Sequence, residues 1–352
     1  RQEQAELLGY SHYAALSLAP KMADSAEEVI AFLDDLAGRA KPVAEQEHAE
    51  LVAFANELDG LETLQAWDVG YYSERLRESR YNLSPEDLRP WFPADQVMAG
   101  LFAVVERLFG IRIHERDDVD TWHADVRFYE IRDGDGTLRG QFYTDLYARS
   151  QKRGGAWMAT ARGRMRQGDA LQTPVAFLTC NFTPPVAGKP ALITHGEVET
   201  LFHEFGHGLH HMLTRVDAAS VAGINGVAWD AVELPSQFLE NWCWEREALD
   251  LFARHHETGE PIPDDLYKRM VAARNFQAAM QMVRQLEFSL FDLRLHVEHD
   301  RAGGERIFAL LDEVRDQVAV VRPPAFNRFP NSFAHIFAGG YAAGYYSYKW
   351  AE

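Results

Sequence analysis

The chain has 352 residues, 47% of them hydrophobic, and a formal net charge of -18. This composition suits one large globular domain or two ordinary ones, and the acidic charge argues against nucleic acid as a partner, because phosphate backbones are bound by clustered Lys and Arg. No apolar run reaches the roughly 18 residues of a membrane-spanning helix, and the first residues lack the apolar core of a secretory signal. We therefore expect a cytoplasmic protein without a membrane segment.

Residues 1–110 show the periodicity of helices. Apolar side chains recur at intervals of three and four, as in Val29, Phe32, Leu33 and Leu36, and this spacing places them on one side of a helix. The first region of the chain is therefore predicted to be helical.

Residues 111–182 change to short runs that are typical of strands. Three runs are the clearest: VRFYEI at 126–131, LRGQFYTDLY at 138–147 and PVAFLTCNF at 174–182. The first two flank Asp133–Gly136, whose Asp-Gly pairs are a strong signal for a hairpin turn. A calcium loop is the alternative for this acidic stretch, but its spacing and its closing Glu are absent. We predict a small β-sheet that contains a hairpin.

Residues 183–352 return to helical periodicity. No internal repeat, low-complexity tract or linker divides the chain, so we predict one region, 1–352, in which the β segment is set into a helical unit. The predicted fold class is mainly α with a small β-sheet, that is, α+β. Both ends of the sequence read as helix without start or stop signals, which predicts a piece of a longer protein.

The two cysteines, Cys180 and Cys243, are far apart in the sequence. Their spacing matches neither a disulfide framework nor the paired cysteines of a zinc ribbon. We predict two buried thiols.

The segment ITHGEVETLFHEFGHGLHHML predicts a helix from Thr194 to about Leu213. Thr194 and Glu197 have the spacing of a capping box, which satisfies two backbone donors at a helix start. The apolar residues of this helix fall on one side, and His203 and His207 fall on the other. The histidines are therefore predicted to face away from the core.

Residues His203 to His207 read HEFGH, an H-E-x-x-H motif. Imidazoles four residues apart on a helix can take two corners of a tetrahedral zinc site, and Glu204 can reach a water molecule beside the metal. The alternative is a chance match, because the motif fixes few positions. A metzincin would continue with Gly at 210 and His at 213, whereas this chain has His210 and Leu213. The third ligand is therefore expected to be a carboxylate further along the chain.

The segment AWDAVELPSQFLENWCWE predicts a second helix with a polar face. Its polar-face side chains recur at intervals of three and four: Asp230, Glu233, Gln237, Glu240 and Trp244. Charge at helical spacing usually marks a solvated face. Pro235 favours a site instead, because proline in a helix interior costs ~3 kcal/mol unless it lies in the first turn or at a kink.

Together these segments resemble the thimet oligopeptidase family of zinc metallopeptidases. The similarity rests on HEFGHGLHHML and WDAVELPSQFLENWCWE, and it continues through RGGAWM at 153–158, LTCNF at 178–182 and FAGGYAAGYYSY at 337–348. The resemblance implies a zincin-like, largely helical catalytic core with one zinc ion on His203, His207 and Glu233. It also implies that Glu204 is the catalytic base, and that an extended peptide lies along the strand VAFLTCNF as an added β-strand.

The resemblance extends to aromatic side chains near residue 345. Tyr341, Tyr345 and Tyr348 have the spacing of one helix face after a Gly-Gly turn. By resemblance, Tyr348 stabilises the oxyanion of the reaction. Tyr341, Tyr345 and His335 would contact the substrate. The alternative is an aromatic stripe that packs in the core.

Two further carboxylates could support the metal site. Asp230 and Glu240 share the predicted helix face with Glu233. Either could orient the imidazole of His203 or His207 through a hydrogen bond.

We therefore predict a monomeric zinc metalloendopeptidase whose partners are short peptide substrates. Two alternatives remain open: a dipeptidyl carboxypeptidase of the same family, which the motifs do not distinguish, and a non-catalytic zinc-bearing fragment that binds peptides. Members of the family have a long helical N-terminal wall and further C-terminal helices, and we expect this chain to lack both.

Overall fold

The computed structural model describes residues 1–186, 188–298 and 305–352. The α-helices, in chain order, are α1 (Gln2–Leu7), α2 (Tyr13–Leu18), α3 (Ala26–Asp59), α4 (Val69–Tyr81), α5 (Pro85–Leu88), α6 (Ala94–Phe109), α7 (His195–Met212), α8 (Leu234–Glu240), α9 (Arg246–Phe252), α10 (Asp264–Ala272), α11 (Ala278–Val297), α12 (Glu305–Val318), α13 (Phe329–Ser332), α14 (Ala334–Phe337) and α15 (Ser347–Ala351). The strands are β1 (Ile111–Arg116), β2 (Arg127–Asp133), β3 (Leu138–Tyr147), β4 (Trp157–Arg162), β5 (Met165–Gln167), β6 (Ala170–Gln172) and β7 (Val175–Phe182).

The prediction of a mainly helical α+β fold is confirmed. Helices occupy the predicted first region up to Phe109, strands occupy the middle region, and helices return from His195. None of the described helices has the combination of length and apolarity that crossing a bilayer requires. Cys180 and Cys243 are both buried free thiols, as predicted.

The chain forms two compact units. The helical unit consists of Arg1–Asn82, Ala228–Ala231 and Ala272–Glu352, and the sheet unit consists of Leu83–Val227 and Val232–Val271. The short piece Ala228–Ala231 thus belongs to the helical unit although both of its flanks belong to the sheet unit.

The core of the helical unit forms between α3 and α11. Ser25 starts α3, since its side chain accepts a hydrogen bond from the backbone N–H of Glu28, an N-cap that satisfies one of the free donors of the first turn. Leu33 from α3 and Leu290 and Phe291 from α11 are fully buried in one hydrophobic cluster. Burial of such side chains, at roughly 1.5–3 kcal/mol each, stabilises this pair of helices.

The sheet unit is built on a five-stranded mixed sheet with the strand order β1-β2-β3-β7-β4. β1, β2 and β3 are antiparallel neighbours, β3 and β7 are parallel, and β7 and β4 are antiparallel. The turn between β2 and β3 is the predicted hairpin, with Gly136 at φ 88°, a conformation that glycine adopts without steric cost.

The position of β7 differs from the expectation drawn for VAFLTCNF. β7 is an interior strand, bonded to β3 on one side and to β4 on the other, so its main-chain groups are already paired. The edge strand on this side of the sheet is β4, Trp157–Arg162, which is partly exposed. The prediction that a peptide adds to β7 is therefore wrong, because an added strand needs unpaired main-chain groups.

Candidate metal centre

Helix α7 carries the H-E-x-x-H motif, and its start is as predicted. The side chain of Thr194 accepts from the N–H of Glu197 at 3.2 Å, and the backbone N–H of Thr194 donates to the Glu197 carboxylate at 2.7 Å. This reciprocal capping box fixes the first turn of the helix. The apolar side of α7 is buried, as Phe202 and Phe205 are at 0% exposure, and His207 on the other side is also only 8% exposed. The histidines thus lie away from the apolar side, as predicted, but His207 is not on a solvated face.

The two histidines of the motif meet a carboxylate from outside their helix. The ring centres of His203 and His207 lie 4.9 Å apart. Oε2 of Glu233 lies 3.3 Å from Nε2 of His203 and 3.2 Å from Nε2 of His207. One ligand atom from each of the three residues lies within 4.8 Å of the other two. Among the described residues, this is the group of His, Cys, Asp or Glu side chains whose spacing could hold a metal ion.

Glu233 owes its position to the start of helix α8. Glu233 is the N-cap residue of α8, and Pro235 lies in the first turn, where its missing N–H leaves no helical hydrogen bond unmade. The prediction of one continuous polar helix through Asp230 and Trp244 is wrong. Asp230 lies in a separate 3₁₀ turn, Trp229–Ala231, and Trp244 lies beyond the end of α8.

This set of donor atoms fits a zinc ion. Two imidazole nitrogens and one carboxylate oxygen are a common protein ligand set for catalytic zinc, with the fourth position left for water or substrate. Nδ1 of His203 is 2.6 Å from Oε1 of Glu240, and this contact holds the ring with its Nε2 towards Glu233. Ligand-bearing histidines are commonly oriented by a carboxylate in this way.

The charges of the histidines and carboxylates in this cluster shift one another's pKa values. Burial lowers the pKa of His203, but its hydrogen bonds to Glu233 and Glu240 outweigh this effect and raise the pKa to about 10. Burial by itself would raise the pKa of Glu233, yet the two imidazoles hold this pKa well below its usual range. The carboxylate of Glu233 is thus kept ionised in a buried position, as a metal ligand must be.

Glu204 lies next to the cluster on α7. Its side chain is only 7% exposed, and burial raises its pKa, while His203 and His207 act in the opposite direction. The backbone of Met158, in the edge strand β4, also interacts with this carboxylate. Glu204 is therefore a buried carboxylate that interacts with the two histidines and with the edge strand β4.

The two predicted supporting carboxylates behave differently. Glu240 makes the contact with His203 described above. Asp230 has other partners among the described residues than His203 and His207: its carboxylate accepts hydrogen bonds from the backbone N–H groups of Met22 and Ala23 and from the phenol of Tyr346, at 2.8–3.0 Å. These partners belong to the helical unit, and so does Asp230 itself, which lies in the piece Ala228–Ala231.

The predicted substrate residues form an aromatic cluster in the helical unit. The rings of Tyr341 and Tyr348 stack at 5.2 Å, and the ring of His335 lies 6.0 Å from Tyr341 and 6.5 Å from Tyr348. Tyr345 is buried, and its phenol donates to Oε1 of Gln285 at 2.9 Å, so this phenol is engaged inside the unit.

The prediction that the three tyrosines share one helix face is wrong. Helix α15 begins at Ser347, and Tyr341 and Tyr345 precede it. Ala343 has φ 48°, a left-handed conformation that interrupts a helix. The rings are brought together by the turn and not by helical spacing.

Two residues near Glu233 were not anticipated from the sequence. The hydroxyl of Ser236 donates to the backbone oxygen of Glu233 at 2.8 Å and lies 3.2 Å from its Oε2. Gly206 lies on α7 directly against the first turn of α8. A signal for Gly206 was present, since glycine in a helix interior is unfavourable and usually has a packing reason.

The chain is similar to known proteins along its whole length. The sequence profile of Peptidase family M3 matches residues 1–352. The chain is 59% identical over 353 residues to "Oligopeptidase A" of Salmonella typhimurium and 59% identical to "Oligopeptidase A" of Escherichia coli, covering 100% of this chain and 52% of each relative. It is 38% identical to "Dipeptidyl carboxypeptidase" of Escherichia coli, again over 100% of this chain and 52% of the relative. The chain thus spans about half the length of the curated relatives it matches.

Proposed function

Because the chain belongs to peptidase family M3, we propose that it carries the metal centre of an oligopeptidase A-like zinc metalloendopeptidase that acts on short peptides. The observation that carries this proposal is the convergence of His203, His207 and Glu233, whose ligand atoms lie within 4.8 Å of one another. The adjacent buried Glu204 supplies the proton acceptor that peptide hydrolysis needs.

The chemistry divides between the metal and Glu204. When bound, zinc would polarise the attacking water and the scissile carbonyl. The carboxylate of Glu204 takes a proton from the attacking water and later delivers it to the leaving amine nitrogen. Glu240 keeps the His203 ring in the tautomer that presents Nε2 as a ligand.

The substrate is proposed to bind as an extended strand along β4. β4 is the edge strand of the sheet, and it interacts with Glu204 through Met158. An extended peptide can pair with such an edge through main-chain hydrogen bonds, which are independent of side-chain identity. This proposal replaces the expectation for β7.

The tyrosine roles stay proposals that rest on the family resemblance. Tyr348 is proposed to stabilise the oxyanion, with Tyr341 and His335 contacting the substrate. Tyr345 is the weakest member of this group, because its phenol already donates to Gln285. The cytoplasmic location and the monomeric state likewise remain predictions.

One experiment tests the proposal as a whole. The purified chain is analysed for bound metal by mass spectrometry, and its turnover of an internally quenched fluorogenic peptide is measured before and after chelation and zinc readdition. We expect close to one zinc per chain and a turnover that disappears with chelator and returns with zinc. Zinc binding without turnover would instead support the non-catalytic peptide-binding alternative, and a metal-independent turnover would reject the proposal.

A dipeptidyl carboxypeptidase is the second candidate, favoured by the 38% identity to the relative of that name. Such an enzyme must hold a free C-terminus of its substrate. Cleavage of a peptide with a blocked C-terminus supports the endopeptidase. If mass spectrometry detects the release of C-terminal dipeptides, and only from peptides whose C-terminus is free, the dipeptidyl carboxypeptidase is supported.

A further inference from the structure

Gly206, between the two histidines of α7, is in direct contact with the backbone of α8. A Cβ atom built at Gly206 would lie 2.6 Å from the carbonyl oxygen of Pro235 and 2.6 Å from Cα of Ser236. These are backbone atoms, which cannot turn aside as the tip of a side chain can. Helices α7 and α8 are therefore in backbone contact at this point, which is possible because Gly206 has no side chain.

This contact lies very near the third ligand. Glu233 is the N-cap of the turn that contains Pro235 and Ser236, so a shift of this turn also moves the Glu233 carboxylate. Ordinary contacts of a Cβ begin at 3.4 Å, so a methyl group at Gly206 would force the turn to move by much more than the roughly 0.2 Å that zinc–ligand distances tolerate.

Ser236 restrains the same carboxylate from inside its own turn. Its side chain is fully buried, and its hydroxyl lies within hydrogen-bond distance of both the backbone oxygen and Oε2 of Glu233. The serine thus limits the rotation of the ligand, while Gly206 limits its distance from the histidines.

We propose that Gly206 and Ser236 are positioning residues that set the zinc affinity of the site by fixing Glu233 against His203 and His207. This inference rests on the proposed zinc function. It explains why the poorest helix former apart from proline stands between two ligands in the middle of a helix.

The test compares two glycines of the same helix. Gly206→Ala adds a methyl group against α8, and Gly196→Ala adds the same group where no atom lies within 4 Å. The zinc dissociation constant of each metal-free, folded variant is measured by competition with a chromophoric chelator, after circular dichroism has established the fold. We expect Gly206→Ala to weaken zinc binding by about 10- to 100-fold, the usual effect of disturbing a ligand's support, and Gly196→Ala to change it by less than about twofold.

A double variant separates positioning from general damage. If the methyl group acts through Glu233, adding Gly206→Ala to Glu233→Ala causes no further loss of zinc affinity, because the residue that it displaces is already gone. The ligand-field spectrum of cobalt-loaded Gly206→Ala should also differ from that of the parent chain, whereas Gly196→Ala should retain it.

Ser236→Ala decides the outcome if Gly206→Ala does not fold. It removes one hydroxyl and is expected to weaken zinc binding several-fold. Its matched control is Ser289→Ala, a buried helical serine of the helical unit that donates to the backbone oxygen of Gln285. If folded Gly206→Ala binds zinc as tightly as the parent chain, the inference is overturned and the zinc function stays intact. If Gly206→Ala does not fold, the same result for Ser236→Ala overturns it. A parent chain that binds no zinc overturns both.

Discussion

Asp230 and Glu233 are three positions apart in the chain and both are fully buried, yet they serve the two units differently. In the sheet unit, Glu233 faces two imidazole nitrogens. In the helical unit, Asp230 receives two backbone N–H groups and the phenol of Tyr346. Asp230 is thus surrounded by backbone donors and a phenol, whereas Glu233 lies against two side chains that could hold a metal ion together with it.

Asp292 repeats the arrangement of Asp230 in the helical unit. Its carboxylate, 1% exposed, accepts from the backbone N–H groups of Ala343, Gly344 and Tyr345 at 2.9–3.0 Å. Nδ1 of His296 also lies 3.0 Å from Oδ1 of Asp292, so one imidazole partner does not by itself mark a metal site. The helical unit uses these two buried carboxylates to hold backbone turns, and Glu233 differs from both in facing two imidazoles.

The largest effect is expected at Glu204, the proposed proton acceptor beside the cluster that contains Glu233. Glu204→Gln keeps the size of the side chain but removes its proton acceptor, so we expect turnover of the fluorogenic peptide to fall by about 10²- to 10⁴-fold. Zinc content should stay unchanged, because Glu204 is not a ligand. Turnover within tenfold of the parent chain would remove Glu204 from the mechanism.

Tyr348→Phe asks whether the helical unit takes part in the reaction at all. Loss of a single oxyanion donor typically lowers kcat by about 10²- to 10³-fold, and we expect a fall of this size with zinc content and KM little changed. Tyr345→Phe is the matched control, since the Tyr345 phenol is engaged with Gln285. Equal activities of the parent chain and Tyr348→Phe would restrict the helical unit to a structural role.

Glu240→Ala sharpens the comparison within the sheet unit. Without its carboxylate, the His203 ring loses the partner of its Nδ1, and zinc affinity should fall by about 10- to 100-fold. Chelator competition on the variant measures this loss. An unchanged dissociation constant would mean that the 2.6 Å contact does not persist when the metal is bound.

Asp230→Asn is expected to lower the stability of the protein without changing its zinc affinity, the reverse of Glu240→Ala. With its amide oxygen at the Oδ2 position, the asparagine can still accept from Ala23 and Tyr346, but its NH₂ group then faces the N–H of Met22 at the Oδ1 position. We therefore expect a loss of about 1–3 kcal/mol in the free energy of unfolding. Urea denaturation of the metal-free chain measures this loss. Zinc affinity should be unaffected, and a parallel fall in affinity would show that Asp230 does support the metal.

The sequence predicted the local parts of the site well. The capping box at Thr194, the helix that follows and the burial of its apolar side all depend on residues within a few positions of one another, and all are confirmed. Periodicity could not show that Asp230 and Glu233 lie in different elements, because their spacing of three positions is the same whether or not the chain between them is helical. Pro235 was the one local sign that the helix begins after Glu233.

The sheet illustrates the limit for non-local structure. β7 pairs in parallel with β3, a partner that is distant in sequence, and the pattern of one strand does not reveal its neighbours. Its nearly continuous apolar run, VAFLTC, is nevertheless typical of an interior strand with both faces buried. The composition of β7 therefore argued against an edge position, and only the assembled sheet identifies β4 as the edge.

The excursion of the chain through Ala228–Ala231 has a consequence for how this protein can be divided. A gene fragment that encodes the sheet unit alone must either delete this piece, which ends directly before Val232, or retain Asp230 without Met22 and Tyr346. No single cut separates the units, so recombination or truncation that removes one of them also disturbs the sequence leading into the other.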